Sequence, residues 1–224
     1  MQEESFRSTL THLCREHGIF LSQEQSQRIF QHVELMLEWN RQVNLTRIID
    51  VQDILIEHVL DSLLPARWLP PQGSILDVGS GPGFPGIPLK ILFPHRTVVL
   101  IESNRKKASF LRVLISRLGM KSLSVVHGRW EEWEKLSRPD VPKSYEMVVL
   151  RSVRLDPDFL GLHAWRSLNP GGTLACWSGE LNFEPQNLGR SIEGEGFMLF
   201  RRKYSYTLPG LRKSRYLWLW EKGI

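Results

Sequence analysis

Two kinds of hydrophobic spacing divide this chain. Before about residue 69, apolar positions recur at helical intervals. Ile29, Phe30, Val33, Met36 and Leu37 share one face, and Ser22 with Gln25 three positions on forms a capping box ahead of them. This predicts a helix that begins after Ser22 and ends near Trp39-Asn40. Ile54, Leu55, His58, Val59, Ser62 and Leu63 predict another. Pro70-Pro71-Gln72-Gly73 then marks a boundary. Beyond it, short apolar runs predict strands over 74–78, 97–101, 122–126, 146–150 and 173–177. Helical stretches fall near 86–92, 105–118, 157–168 and 185–195. The last two runs, 197–204 and 215–220, have no helix between them and predict an antiparallel hairpin. Strand–helix alternation implies a mostly parallel sheet covered on both faces. The expectation is a doubly wound α/β fold with a C-terminal hairpin. Residues 1–69 form a helical extension and 70–224 the sheet domain.

Composition narrows the setting. No apolar run reaches the length of a membrane span, and Met1-Gln2-Glu3-Glu4-Ser5 lacks a signal-peptide core. Two cysteines, Cys14 and Cys176, make no disulfide framework. A cytoplasmic protein without a membrane partner is expected, and a monomer. The net charge is +5, but residues 199–224 hold seven Lys/Arg against Glu221 alone, so the excess sits in the tail. Arg201, Arg202, Lys203, Arg212, Lys213 and Arg215, with the basic helix start Arg105-Lys106-Lys107, are the candidate contacts to a polyanion. A solvated hairpin face is the plainer reading of the same charges.

The first sheet strand runs into Asp77-Val78-Gly79-Ser80-Gly81-Pro82-Gly83-Phe84-Pro85-Gly86. Glycines at the carboxyl end of a strand let a ligand approach the backbone. Gly81, Gly83 and Gly86 match the dinucleotide spacing, whereas Asp77, Gly79, Gly81 and Gly83 match the pattern that binds S-adenosylmethionine (SAM). A pyrophosphate needs free N–H groups here, and Pro82, Pro85 and Pro88 remove three. SAM carries no phosphate, and its cationic amino group suits Asp77. Glu102, at the end of the second strand, is placed to accept from ribose hydroxyls. Trp130 and Glu131, after the third strand, suit an adenine ring and its amine; a helix start with an acidic first turn is the alternative.

The fourth strand ends in Leu150-Arg151-Ser152-Val153. The Asn/Asp-Pro-Pro-aromatic signature of exocyclic-amine methylation is absent, and no cysteine nucleophile sits at this strand end. Cys176 lies inside a strand, as a structural thiol does. An acceptor that needs no activation, such as guanine N7, remains; catalysis would then be positioning. No residue is assigned a certain catalytic role. Arg151 is a candidate contact to substrate or cofactor. His58 and Asp61 share a helix face, either as a lid or as a satisfied interhelical polar pair. No metal-ligand spacing is present.

From about Trp39 onward the chain resembles the RsmG (GidB) family, bacterial 16S ribosomal RNA guanine-N7 methyltransferases. The resemblance rests on Asn44-Leu45-Thr46, His58-Val59-Leu60-Asp61-Ser62, the Asp77–Gly86 loop with its Ile87-Pro88-Leu89 extension, Lys106–Leu111, Arg129-Trp130-Glu131-Glu132 and Arg151. It implies a class I, Rossmann-like SAM-dependent methyltransferase with Gly79, Phe84, Trp130, Glu131 and Arg151 at the cofactor. The implied partner is 16S ribosomal RNA or the small ribosomal subunit, and the implied product S-adenosylhomocysteine. Ser152 stands where the family has Ala, and the Arg138–Lys143 loop is long. Two rival functions are a methyltransferase acting on a small molecule or protein, and an NAD-dependent oxidoreductase; a third is an RNA-binding module that only carries SAM.

Overall fold

The structure is a computed structural model that describes residues 2–136, 139–151, 156–179, 188 and 196–223. Ser152, Arg138 and the helix expected over 185–195 lie outside them, apart from Leu188. Among the described residues, seven strands form one sheet in the order β3-β2-β1-β4-β5-β7-β6. They are β1 (Ile75–Val78), β2 (Val98–Glu102), β3 (Leu123–His127), β4 (Tyr145–Arg151), β5 (Leu168–Ser178), β6 (Met198–Tyr206) and β7 (Arg215–Lys222). β1 to β5 are parallel, and β7 and β6 add the expected antiparallel hairpin at one edge. β1 and β2 are buried along their whole length, as strands covered on both faces should be. Strand order reverses between β1 and β4, which opens a crevice at their carboxyl ends.

Helices α1 (Glu3–Glu16) and α2 (Gln23–Asn40) open the chain, and Ser22 caps α2 in the expected capping box. Next come α3 (Val51–Asp53), a π-helical turn Ile54–Leu60 and α4 (Asp61–Leu63), running on into a 3₁₀ turn Leu64–Trp68. One hydrophobic cluster joins Phe6, Ile29 and Leu60 of these helices to Leu100, Val149 and Leu219 of the sheet. Arg96 fastens the boundary segment, donating to the carbonyls of Pro70, Gln72 and Gly73 at 2.7–3.0 Å.

Three further helices matter for the site: α5 (Gly86–Leu92), α6 (Arg105–Leu118) and α8 (Pro157–Ser167). A short α7 (Trp133–Leu136) follows a 3₁₀ turn at Trp130–Glu132. α6 has the expected bounds because Asn104 accepts from the N–H groups of Lys106 and Lys107, and Gly119 ends the helix at φ +58°. β5 differs from the expectation. It starts five residues earlier, taking in Asn169-Pro170-Gly171-Gly172, because the β4–β5 register shifts between Tyr145 and Met147 and Gly171 adopts φ +72°. A bulge absorbs the turn residues without ending the strand.

Candidate active site

The Gly-rich loop leaves β1 at the reversal point. Gly79, Gly81 and Gly83 have φ of +67°, +56° and +95°, a region side chains rarely enter. Gly86 is needed for a different reason: a Cβ there would stand 2.5 Å from Asp77 Oδ2 and from Leu100 Cδ2. Every N–H of the loop already has an acceptor. Those of Gly79 and Ser80 reach Ile101 O, those of Gly83 and Phe84 reach Ser80 O, Gly81 donates to Glu102 Oε2 and Gly86 to Asp77 Oδ2. Pro82 and Pro85 have none to give. The loop therefore offers no donor to a pyrophosphate, and the dinucleotide reading loses the interaction it depends on.

Two carboxylates organise this loop from below. Asp77 is fully buried, and Oδ1 has no hydrogen-bond partner among the described residues. Burial raises its pKa to about 7 against the opposing Gly86 N–H bond. Glu102 is 6% exposed, and its other oxygen accepts from Asn104 N at 2.7 Å. Each Glu102 oxygen still has lone-pair capacity for a hydroxyl.

Beside the loop is a cavity of about 210 Å³ lined by Val78, Gly79, Ser103, Gly128, Glu131 and Phe159, with Trp130 in its wall. Trp130 is buried, and its Nε1 donates to Ser167 Oγ at 2.9 Å, which fixes the ring plane. Glu131 is exposed and 3.5 Å from Arg129. A larger cleft of about 910 Å³ is lined by α1, α2 and their connection, with no residue from the strand ends.

Phe84 and Arg151 point away from this cavity, into a buried polar cluster. Phe84 is 3% exposed and stacks between His32, at 4.5 Å, and His58, at 4.9 Å. The Arg151 guanidinium lies 5.3 Å from the Phe84 ring centre and reaches the π-helical turn. There Nη1 donates to the carbonyls of Glu57 and His58 and to Asp61 Oδ2 at 3.2–3.3 Å, while Nη2 donates to His58 Nδ1 at 3.1 Å. An arginine only donates, so His58 Nδ1 must accept, and Nε2–H then donates to Thr46 Oγ1 at 2.9 Å. Burial and the adjacent Arg151 hold the His58 pKa down to about 3, and burial holds that of His32 to about 4. Both rings are neutral. His32 Nε2 donates to Pro82 O at 2.6 Å, so the α2 side chain holds the loop directly.

Asp61 also accepts from Tyr206 Oη at 2.7 Å, and Arg215 pairs with Glu57 at 3.1 Å. The helical extension and the C-terminal hairpin thus meet on Arg151. His58 and Asp61 are satisfied, but not as an interhelical pair: both bind this strand-end arginine. Sequence reasoning misses His32, although a histidine between Ile29, Val33 and Met36 on an apolar face is its signal.

The basic residues separate into engaged and open. Arg201 is paired with Glu221 and Arg215 with Glu57, while Lys203 lies 3.9 Å from the Tyr216 ring centre. Arg202 lies over Tyr204 at 5.7 Å and stays exposed. Arg212 and Lys213 are exposed and have no carboxylate partner among the described residues. Arg105 and Lys106 are exposed, with Lys107 half-buried, in the first turn of α6. Cations at a helix N-terminus oppose the helix dipole, so their placement brings the helix no benefit. Cys176 is buried, and burial raises its pKa well above the ordinary thiol value, as suits a structural role.

Comparison with known proteins agrees with this architecture. The chain is 45% identical over 220 residues to "Ribosomal RNA small subunit methyltransferase G 1" of Syntrophobacter fumaroxidans, covering 98% of each. It is 34% identical to the methyltransferase G of Alkaliphilus metalliredigens, over 88% of this chain and 82% of that one. In fold it is similar to a methyltransferase from Pyrococcus furiosus, with TM-score 0.53 and 14% identity over 89% of this chain and 100% of the other. The model of the GidB family, rRNA small subunit methyltransferase G, matches residues 25–183. The chain belongs to the GidB family of small-subunit ribosomal RNA methyltransferases.

Proposed function

We propose that this protein methylates N7 of a guanine in 16S ribosomal RNA, with SAM as the methyl donor. The observation that carries the donor assignment is the loop over 79–86: Gly79 opens onto the cavity beside it, yet every N–H of the loop is engaged. Such a surface suits a nucleoside ligand without phosphate. When bound, SAM supplies an electrophilic methyl on a sulfonium, leaving as neutral S-adenosylhomocysteine while the charge passes to the methylated base. The residues that would hold it are Gly79, Gly81 and Gly83 beneath the ligand, Glu102 at the ribose, and Trp130 and Glu131 at the adenine. Asp77 has the unpartnered oxygen that a cationic amino group would complete.

Phe84 and Arg151 keep the loop in place in this reading, rather than touching the donor. Guanine N7 has its lone pair free at neutral pH, so no general base is required, and the protein's task is alignment. Exposed Arg105, Lys106, Arg202, Arg212 and Lys213 would hold RNA phosphates, which position a substrate without choosing a base. Lys107, Arg201, Lys203 and Arg215 would add to the same field from engaged positions. The test is to map 7-methylguanine in 16S RNA from cells with and without the gene. An unchanged pattern would refute the proposal.

A further inference from the structure

An open cleft of about 860 Å³ lies on the far side of β4 from the cavity beside the loop, at the carboxyl end of β5. Glu57, Gly179, Arg212, Lys213 and Arg215 line it. Its volume is within the ordinary ligand-pocket range of about 300–1,000 Å³. Its chemistry is mixed, with three cations around one carboxylate. Cations alone would suit any phosphate. The carboxylate is the informative group, because it costs affinity for a bare anion and needs a donor of its own.

Glu57 is held with unusual firmness for a partly exposed side chain. Its carbonyl accepts from Arg151 Nη1 at 3.2 Å, and its Oε2 from Arg215 Nη2 at 3.1 Å. Oε1 has no hydrogen-bond partner among the described residues. The Glu57 carbonyl belongs to the π-helical turn Ile54–Leu60. Arg151 in turn lies over Phe84 of the Gly-rich loop. One guanidinium therefore separates the Glu57 backbone from the loop that the proposed function gives to the methyl donor.

We infer that Glu57 reads the Watson–Crick edge of the acceptor guanine in this cleft, while Arg212 and Lys213 hold its phosphates. A carboxylate is acceptor-only. Guanine presents two adjacent donors on that edge, N1–H and N2–H, whereas adenine presents one donor beside an acceptor that a carboxylate repels. Binding at this edge leaves N7, on the opposite side of the base, free for the methyl. It also sets a negative group against a base that becomes cationic on methylation. An ordinary exposed ion pair contributes about 0–1 kcal/mol, so stability gives little reason for the Glu57–Arg215 pair, while a fixed carboxylate has a use in recognition.

This inference rests on the proposed guanine-N7 activity. Its test uses 16S RNA joined from segments so that the acceptor is either guanosine or inosine, which lacks the N2 amine. Wild type should prefer guanosine in kcat/KM by about 10–100-fold, the effect of removing one hydrogen bond to a charged group. In Glu57→Gln the preference should fall to within about threefold, with SAM affinity unchanged by calorimetry. Glu57→Asp, with a shorter reach, should keep the direction of the preference and lose rate. Equal wild-type rates on guanosine and inosine would overturn the inference while leaving the activity standing. So would a Glu57→Gln enzyme slowed on both with its preference intact, which would make Glu57 merely structural. Failure of wild type to methylate the guanosine RNA would remove the functional reading itself.

Discussion

Removing Arg151 should damage the fold more than the cofactor site. The Arg151 side chain is 10% exposed and that of Asp61 is 5%, so the pair is nearly dry. Arg151→Ala leaves the Asp61 carboxylate with the Tyr206 hydroxyl as its remaining side-chain donor among the described residues and takes a donor away from two carbonyls of the π-helical turn. Breaking one side of a buried pair costs about 3–5 kcal/mol, because the surviving charge stays buried. At about 2–4 °C per kcal/mol for a chain of this size, the melting temperature should drop by about 6–20 °C. Urea unfolding measures the loss, with the m-value checked so that the change is one of stability. Arg151→Met combined with Asp61→Asn should recover part of it, since the stranded charge is then gone. SAM calorimetry on folded Arg151→Ala at low temperature should show a modest change. A stability loss below about 1 kcal/mol together with abolished SAM binding would refute the structural role and make Arg151 a direct contact.

Gly79→Arg should abolish SAM binding with an unchanged circular dichroism spectrum, because Gly79 at φ +67° lines the cavity and a long side chain would fill it; wild-type affinity would contradict the loop assignment. Replacing Arg202, Arg212 and Lys213 by Ala should weaken RNA binding and lower its log–log salt slope by about 0.7–0.9 for each phosphate no longer neutralised. Identical slopes would move the RNA footprint to α6. Stability should fall as pH drops from 6.5, because unfolded histidines take up protons that His32 and His58, with pKa values of about 4 and 3, refuse in the native state. Asp77, raised to about 7, acts in the opposite sense between about pH 4 and 7. Two histidines against one carboxylate leave a net loss of about 1.4 kcal/mol per pH unit, and urea midpoints that stay flat from pH 6.5 to 4.5 would refute the buried neutral rings.

What could be read in the sequence was local. The strand–loop–helix at 75–92 is written in its own glycines, prolines and apolar runs, and α6 in Asn104 and Gly119. The spacing of Glu102 from the loop followed from one βαβ unit. What could not be read depends on contacts across long separations. Arg151 meets the π-helical turn about 90 positions away, His32 meets Pro82 50 away, and Tyr206 meets Asp61 145 away. No periodicity encodes such pairings, and a single π-helical turn leaves an apolar stripe looking α-helical. The β5 bulge escaped for a related reason. Asn-Pro-Gly-Gly is a turn by local preference, and only pairing with β4 keeps it in the strand.

These long contacts change what the first 69 residues mean. As a stripe pattern they are an extension placed before a complete sheet domain. In the structure they supply His32 and His58 on both faces of Phe84, and Glu57 and Asp61 around Arg151. The loop's own hydrogen bonds fix its backbone path, yet the rings that stack on its one aromatic side chain come from outside the βα unit. A sheet lacking the extension would leave Phe84 without both stacking rings and the guanidinium of Arg151 without Asp61 or the two carbonyls. The Gly-rich loop, strand-end arginine and basic hairpin are therefore coupled through the helical segment. Substitutions of His58 and Asp61 should disturb methyl-donor binding and RNA binding together, although neither residue is in the wall of the cavity beside the loop.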